Sequence, residues 1–443
     1  MAQFRTVIDA YAGVPKVRDP HSNVDGRLTM SSRVDAVIVG AGIAGIATAW
    51  QLAERLGTTN AILVDPRPPL SLTSNRPEAN YRSWWPQRPM VELAERSITL
   101  MRGLLSDGAF FAMNDRGYLY VTLDEATADD LPNVRARYAA AGQGSDAADL
   151  LDAAATRARY RYLTSSVQGA VHARHAGSLD TVALGMAMLE RAQARGVRVV
   201  RGEIIAIERR GGAVTGVGAR FQTADGEQQV ETSRVINAAG PFAADVAALA
   251  HVVLPLETVL RQKVLLRDTR GVVPRDAPFT IGVDATGGLP SGVHVKPDDS
   301  VVPDGIKLGW ARDQEPSLPI AEPACPPEFA REVLIRAGTL IPGLLDYLEG
   351  DLPVAAHDGG FYARTPDGLP LIGATSIEGF VVIAGLAGFG AMMACAAGEF
   401  AAKVALDGDP AGDPRAERPF DPMRPQPSPD EAKRAAGPRP GEL

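Results

Sequence analysis

The stretch from Val34 to Asp65, VDAVIVGAGIAGIATAWQLAERLGTTNAILVD, decides the fold. Ala36 to Val39 is an apolar run suited to a buried parallel strand, and Gly40-Ala41-Gly42-Ile43-Ala44-Gly45 follows at once. From Ile43 to Leu56, Ile46, Ala49, Trp50 and Ala53 recur at helical spacing, and a second apolar run, Ala61 to Val64, ends in Asp65. This order is a βαβ unit. Gly40 permits the tight turn, Gly42 lets the backbone approach a pyrophosphate, and Gly45 lets helix and strand pack closely. The helix start contributes N–H donors and partial positive charge. Asp65, 20 residues after Gly45, is placed to accept both ribose hydroxyls of an adenosine and would repel a 2′-phosphate. The unit predicts an adenine dinucleotide and leaves NAD or FAD open.

Outside this unit, 443 residues exceed one small core and predict two domains, possibly interleaved. A content of 45% hydrophobic and 22% charged residues is ordinary for a globular protein. Lys+Arg of 45 against Asp+Glu of 53 gives a net charge of −8, which argues against a nucleic-acid partner. Cys325 and Cys395 have no metal-type spacing, so the reading is a reducing, cytoplasmic setting with neither zinc site nor disulfide framework. Residues 1–32 hold no continuous apolar region of the secretory kind. Phe380 to Gly398 is uncharged over 19 residues, but its glycines and alanines predict a short strand, a glycine loop and a buried helix from Gly390 rather than a membrane span.

Along the chain, residues 1–32 read as an N-terminal extension. Pro66 to Pro89 reads as a long ordered loop, because Tyr81, Trp84 and Trp85 make it too aromatic for disorder. A helix is predicted from Met90 to Leu105, a strand from Tyr118 to Thr122, and two solvated helices across Asp124 to Arg159. Leu179 to Arg195 reads as a helix, Val197 to Val200 as a third parallel strand, and Glu203 to Ala219 as a hairpin or meander. Val235 to Gly240 is a strand ending in small residues. Residues 251–358 carry separated strand-like runs at Lys263 to Leu266, Gly292 to Val295 and Gly305 to Trp310, with a helix near Glu328 to Ile341. The tail reads as Pro-rich and disordered except around Phe420 to Arg424.

Four stretches together resemble the FAD-dependent amine and amino-acid oxidoreductases related to D-amino-acid oxidase, glycine oxidase and sarcosine oxidase. They are the GAGIAG unit; His175 to Asp180 with its helix and GVRVVRGEIIAI; VINAAGPFA at 235–243; and ARTPDGLPLIG at 363–373 followed by GFVVIAGLAGFG at 379–390. The resemblance covers roughly residues 33–410 and implies FAD. It implies an α/β fold: a discontinuous Rossmann-like FAD-binding domain (33–110, 166–250 and 359–410) with a second α+β substrate domain on a large antiparallel sheet (111–165 and 251–358). Residues 1–32 and 411–443 lie outside both. For the cofactor it implies Gly40, Gly42, Gly45, Asp65 and Ser74, then Ile205, Ala239 and Gly240, and finally Gly388, Phe389 and Gly390. N–H groups at the helix from Gly390 would face charge that develops near flavin N1. Relatives that attach flavin covalently use a histidine where this chain has Asn75, or a cysteine where it has Gly360, so non-covalent FAD is expected. Met392 stands where sarcosine oxidase has a lysine contacting the substrate carboxylate.

The reaction implied is oxidation of a C–N bond in an amino acid or secondary amine, by hydride transfer to flavin N5 and hydrolysis of the imine. Oxygen, a quinone or a partner protein would accept the electrons. Oxidation of a 2-hydroxy acid, or service as the flavoprotein subunit of a heteromeric complex, are the alternatives. Because the cofactor carries the hard chemistry, the residues to find are those that orient substrate. Arg82 matches a carboxylate-binding arginine, and a guanidinium fork suits that task; Arg76 is a second candidate. His294 and Lys296 alternate on a predicted strand and so share a face, able to hold a second acidic group or to tune amine protonation. Tyr362, with Arg364 as its alternative, falls near the substrate, and Trp84 and Trp85 are candidates for the entrance. No metal site is predicted.

Overall fold

The computed structural model describes residues 32–76, 78–144, 146–210, 212–284, 291–312, 314–408, 418–428 and 431. The reading of 1–32 as an extension therefore lies outside the described residues except at its last position, as does most of the tail.

Two sheets organise the chain. The first has nine strands in the order Ser32–Arg33, Gly226–Glu231, Ala213–Thr223, Arg198–Arg210, Ile62–Asp65, Val37–Val39, Val235–Asn237, Phe380–Ala384 and Leu371–Ala374. Its centre, from Arg198–Arg210 to Phe380–Ala384, is parallel, and Val64, Val39, Asn237 and Val382 lie level with one another. The carboxyl ends of the central strands thus share one edge, the place where open α/β sheets bind ligands. The helix Ile43–Leu56 rises straight from the glycine turn. A Cβ added to Gly45 would lie 1.9 Å from the Gly40 carbonyl oxygen, so only glycine allows that approach.

The second sheet runs Val354–Arg364, Glu257–Arg267, Gly305–Trp310, Val293–Pro297, Phe279–Gly282, Tyr118–Thr122, Gly169–Ala173 and Ala148–Asp152. It is antiparallel except where Phe279–Gly282 runs parallel to Tyr118–Val121. Strand alternation gives it two unlike faces. Leu119, Val121, Val264, Val293, Val295, Ile306 and Leu308 pack under the helix Glu328–Leu340. The other alternate positions include Tyr118, Tyr120, Lys263, His294, Lys296 and Lys307, with Lys263 opposite Gly309 and Gly309 opposite His294.

Several sequence expectations change. The third parallel strand and the first hairpin strand are one, Arg198–Arg210. Asp124 to Arg159 contains a strand, Ala148–Asp152, between the helices Glu125–Ala140 and Ala153–Arg159; its alanine-rich surroundings masked a pairing that only the distant Gly169–Ala173 supplies. The loop Pro66 to Pro89 holds a 3₁₀ turn at Thr73–Asn75 and a strand, Asn80–Arg82, that pairs with Ala176–Ser178. Gly169–Ala173 and Val354–Arg364 sit in the second sheet, which crosses the residue ranges assigned to the FAD domain.

Ala387–Asp407 is long and apolar enough to cross a membrane by length and composition. Two-thirds of its apolar window is buried inside the fold, in the same core as the helices Ile43–Leu56 and Arg88–Ser106. Beyond it, the Phe420 carbonyl accepts from Ile372 N, and Arg424 grips Asp367 of the TPDG turn with two bonds of 2.7 and 2.8 Å.

Candidate active site

A cavity of about 500 Å³ runs along the carboxyl edge of the first sheet. It is lined by Gly40 and Gly42 of the turn, Asp65, Ser74, Ala239, Gly240 and Gly390. Ser74 Oγ accepts from Ile43 N at 2.9 Å, inside the first turn of the helix, and so joins the loop to the donor end of the macrodipole. A Cβ on Gly42 would meet only Ser74 Oγ, at 3.2 Å, so the turn presents bare backbone to the cavity. An anionic dinucleotide fits this lining: exposed backbone and a helix start for the pyrophosphate, a carboxylate at the next strand end for the ribose.

Asp65 is held by two backbone amides, Oδ2 accepting from Ala41 N and Oδ1 from Arg67 N, both at 2.8 Å. Each oxygen keeps a further lone pair. Asp65→Ala is expected to weaken FAD binding by about 10–100-fold, the value of a hydrogen bond to a charged group, read as the apparent Kd on reconstitution of the apoprotein. Unchanged occupancy would remove Asp65 from the ribose. Ile205 does not line the cavity; Gly202, Glu203 and Ile204 do. Neither the Asn75 amide nor Gly360, without a side chain, supplies a nucleophile for a covalent flavin bond.

On the other side of the loop Ala387–Gly390 lies a much smaller pocket, about 50 Å³. Gly388 and Phe389 line it from the loop, Arg82 from the strand Asn80–Arg82, Glu78 from the residues just before that strand, and His294 and Tyr362 from the second sheet. Elements distant in sequence therefore bring together three of the substrate-site candidates, Arg82, His294 and Tyr362, with Gly388 and Phe389 of the cofactor loop. Arg82 is 1% exposed; its Nη1 donates to Tyr120 Oη at 2.8 Å, and its guanidinium lies 4.2 Å from the Trp85 ring centroid. Trp85 in turn meets Phe389 edge-on at 5.2 Å. Trp85 thus backs the arginine instead of lining an entrance, and Trp84 stacks on Tyr138 at 4.3 Å in a separate cluster. Burial raises the Tyr120 hydroxyl above its ordinary range, keeping it neutral.

His294 Nδ1 lies 2.8 Å from the Gly292 carbonyl, which assigns its proton there, and Nε2 faces Glu78 Oε1 at 3.4 Å. Burial alone would raise the Glu78 carboxyl; contact with His294 and the charges of Lys307 and Lys263 outweigh it and hold it near 2. Glu78 was not among the sequence candidates. The only local signal is that it, Asn80 and Arg82 fall on alternate positions.

Lys296 shares the His294 face as expected but does not line the pocket. Its ammonium sits behind it, donating to the carbonyl of Glu78, to Asn80 Oδ1 at 2.9 Å, to Ser178 Oγ at 3.3 Å and to the Ala79 carbonyl at 3.4 Å. Burial and the neighbouring Lys307 push it down to about 7. Lys307 holds the shared Asp298 carboxylate more closely, at 2.6 Å against 3.7 Å for Lys296. Holding a second acidic group therefore does not suit Lys296, already engaged on every side, and the nearby Glu78 would repel one. Arg76 is also displaced from the substrate role: its Nη1 donates to the carbonyls of Ala321 and Gly359, tying loop to sheet. Arg364 lies beside Glu257 at 3.5 Å and does not line the pocket. Met392 does. Among the described residues no group of three or more His, Cys, Asp or Glu could hold a metal.

The model of the family described as FAD dependent oxidoreductase matches residues 35–404. Sarcosine oxidase subunit beta of Rhizobium meliloti (strain 1021) is 31% identical over 237 residues, 52% of this chain and 54% of that protein. The tRNA 5-methylaminomethyl-2-thiouridine biosynthesis bifunctional protein MnmC of Burkholderia multivorans is 28% identical over 361 residues, 77% of this chain and 48% of that one. The chain thus matches about half the length of these relatives. L-proline dehydrogenase from P. horikoshii superposes with a TM-score of 0.73 at 22% identity, covering 89% of this chain and 98% of that one. Glycine oxidase from Geobacillus kaustophilus gives 0.73 at 20% identity, covering 89% and 99%. At these identities the likeness is one of fold.

Proposed function

The chain belongs to the family of FAD-dependent oxidoreductases, and from that premise we propose that it oxidises the C–N bond of a small amino acid or N-substituted amine. The observation that carries this reading is the convergence of Arg82, His294 and Tyr362 in one small buried pocket against the loop that closes the dinucleotide cavity. Relatives named sarcosine oxidase subunit beta and glycine oxidase agree with it in substrate class.

When bound, FAD supplies the two-electron acceptor. The cofactor would be held by Gly40, Gly42, Gly45, Asp65, Ser74, Ala239 and Gly240, with Gly388, Phe389 and Gly390 at the reacting end. Arg82 pairs its fork with the substrate carboxylate, already oriented by Tyr120 and Trp85, so little freedom is lost on binding. His294, its Nδ1 donating to Gly292 and its Nε2 facing Glu78, fixes the polar side of the pocket that receives the substrate nitrogen, which oxidation requires as the neutral amine. Phe279, Trp310 and Met392 supply apolar wall that excludes water.

The test is anaerobic loss of flavin absorbance against D- and L-amino acids, N-methyl amino acids and 2-hydroxy acids, followed by admission of air. Bleaching by an amine is the expected result, and return of colour in air would make oxygen the acceptor. Bleaching by hydroxy acids alone would transfer the assignment to C–O oxidation. Silence throughout, with a polypeptide co-purifying in stoichiometric amount, would favour a subunit role.

A further inference from the structure

We propose that Glu78 reads the substrate nitrogen: its Oε2 accepts an N–H of the reacting amine while the substrate carboxylate faces Arg82. The site then takes primary and secondary α-amino acids and discriminates against N,N-disubstituted ones, whose neutral form has no N–H to give. This deepens the reading above and rests on it.

The geometry of one carboxylate carries the inference. Glu78 Oε1 is turned to His294, whereas Oε2 is buried and has no hydrogen-bond partner among the described residues. A buried acceptor left unpaired is costly, more so when charged, and Oε2 stays ionised at neutral pH because the charges of Lys307 and Lys263 add to the His294 contact. The same small pocket holds Arg82, so a ligand that reaches the guanidinium is confined beside Glu78. What that oxygen lacks is a donor, which an α-amino acid supplies on the atom next to its carboxylate-bearing carbon.

Two further features place Glu78 deliberately. Gly309 lies opposite His294, and a Cβ there would fall 2.2 Å from His294 Nε2 and 3.0 Å from Glu78 Oε1, so the sheet is bare where the pair sits. Ala79 adopts φ +55°, a conformation costly for a residue with a Cβ, and Lys296 bonds the carbonyls on both sides of that strained position. The turn aims Glu78 and the lysine holds it.

The experiment compares two rings of equal size that differ in one atom, pyrrole-2-carboxylate with its N–H and furan-2-carboxylate with an ether oxygen. Their Kd values are read from ligand-induced changes in the flavin spectrum of the holoenzyme. The wild type is expected to bind the pyrrole at least ~10-fold more tightly, and Glu78→Ala to reduce the ratio to within about 3-fold. Equal binding of both rings by the wild type, or an undiminished ratio in Glu78→Ala, overturns the proposal. An equal loss for both rings does so too, because it marks a structural role. Binding of neither ring by the wild type overturns the carboxylate-and-amine reading itself and this inference with it. Should Glu78→Ala retain no FAD, Glu78→Leu, which keeps bulk but has no acceptor, decides by the same ratio, and the full wild-type value there would again overturn the proposal.

Discussion

Arg82→Ala is expected to raise KM for carboxylate-bearing substrates by about 10–100-fold and to leave a decarboxylated analogue almost untouched. A charge-assisted contact contributes roughly 1.5–3 kcal/mol, and a loss felt before the chemical step falls on KM. Arg82 is buried between Tyr120 and Trp85, so the variant also creates a void and loses the cation–π contact, which lowers stability. The comparison of two substrates cancels that effect, because a damaged fold penalises both. Arg82→Lys sharpens the test. It restores charge without the planar fork, and its KM should fall between those of the other two forms. If KM rises equally for both substrates in Arg82→Ala, the carboxylate lies elsewhere and Arg261, which also lines the pocket, becomes the candidate.

The dinucleotide half of the molecule was legible because its signals are local. Strand, turn and helix between Val37 and Leu56 are set by neighbours in sequence: a short apolar run, glycines where backbone must come close, then a period of 3.6. The substrate half depends on pairings that no local pattern carries. His294 meets Gly309 and, through it, Lys263 across three strands, and nothing within five residues of His294 announces Glu78, more than 200 positions away. Glu78 also sits in a run of Pro, Ser, Asn and Arg whose only regularity is an alternation completed by the short strand Asn80–Arg82. Alternating lysines ordinarily mean a solvated strand face. Here Lys263, Lys296 and Lys307 are each less than a tenth exposed, and Asn80 and Ser178 of the paired strands Asn80–Arg82 and Ala176–Ser178 close over Lys296. Ile205 is implied by likeness alone, and its neighbour Ile204 is the residue of that strand that reaches furthest along the cavity lining.

Lys296→Met should destabilise the protein by about 2–6 kcal/mol, since the Glu78 carbonyl and Asn80 Oδ1 would each lose a buried donor at roughly 1–3 kcal/mol apiece. The deficit is expected to depend on pH with a definite sign. The folded lysine is pushed down to about 7 by burial and by Lys307, whereas the unfolded one titrates near its ordinary 10.5. Between those values the unfolded chain binds the extra proton, so raising the pH stabilises the wild type, by at most about 1.4 kcal/mol per unit. Methionine has no such term. The gap between wild type and Lys296→Met should therefore widen from pH 7 to pH 9 in denaturant titrations, and below pH 7 it should level off. A gap that stays constant would mean that the ammonium keeps its charge and that Asp298 serves both lysines equally, against the shorter contact of Lys307. Substrate binding offers an independent measure of the same residue. If Lys296 holds the turn at Ala79 that presents Glu78, the methionine variant should lose the preference for an N–H donor more than it loses affinity for the carboxylate, because Arg82 has its own supports in Tyr120 and Trp85.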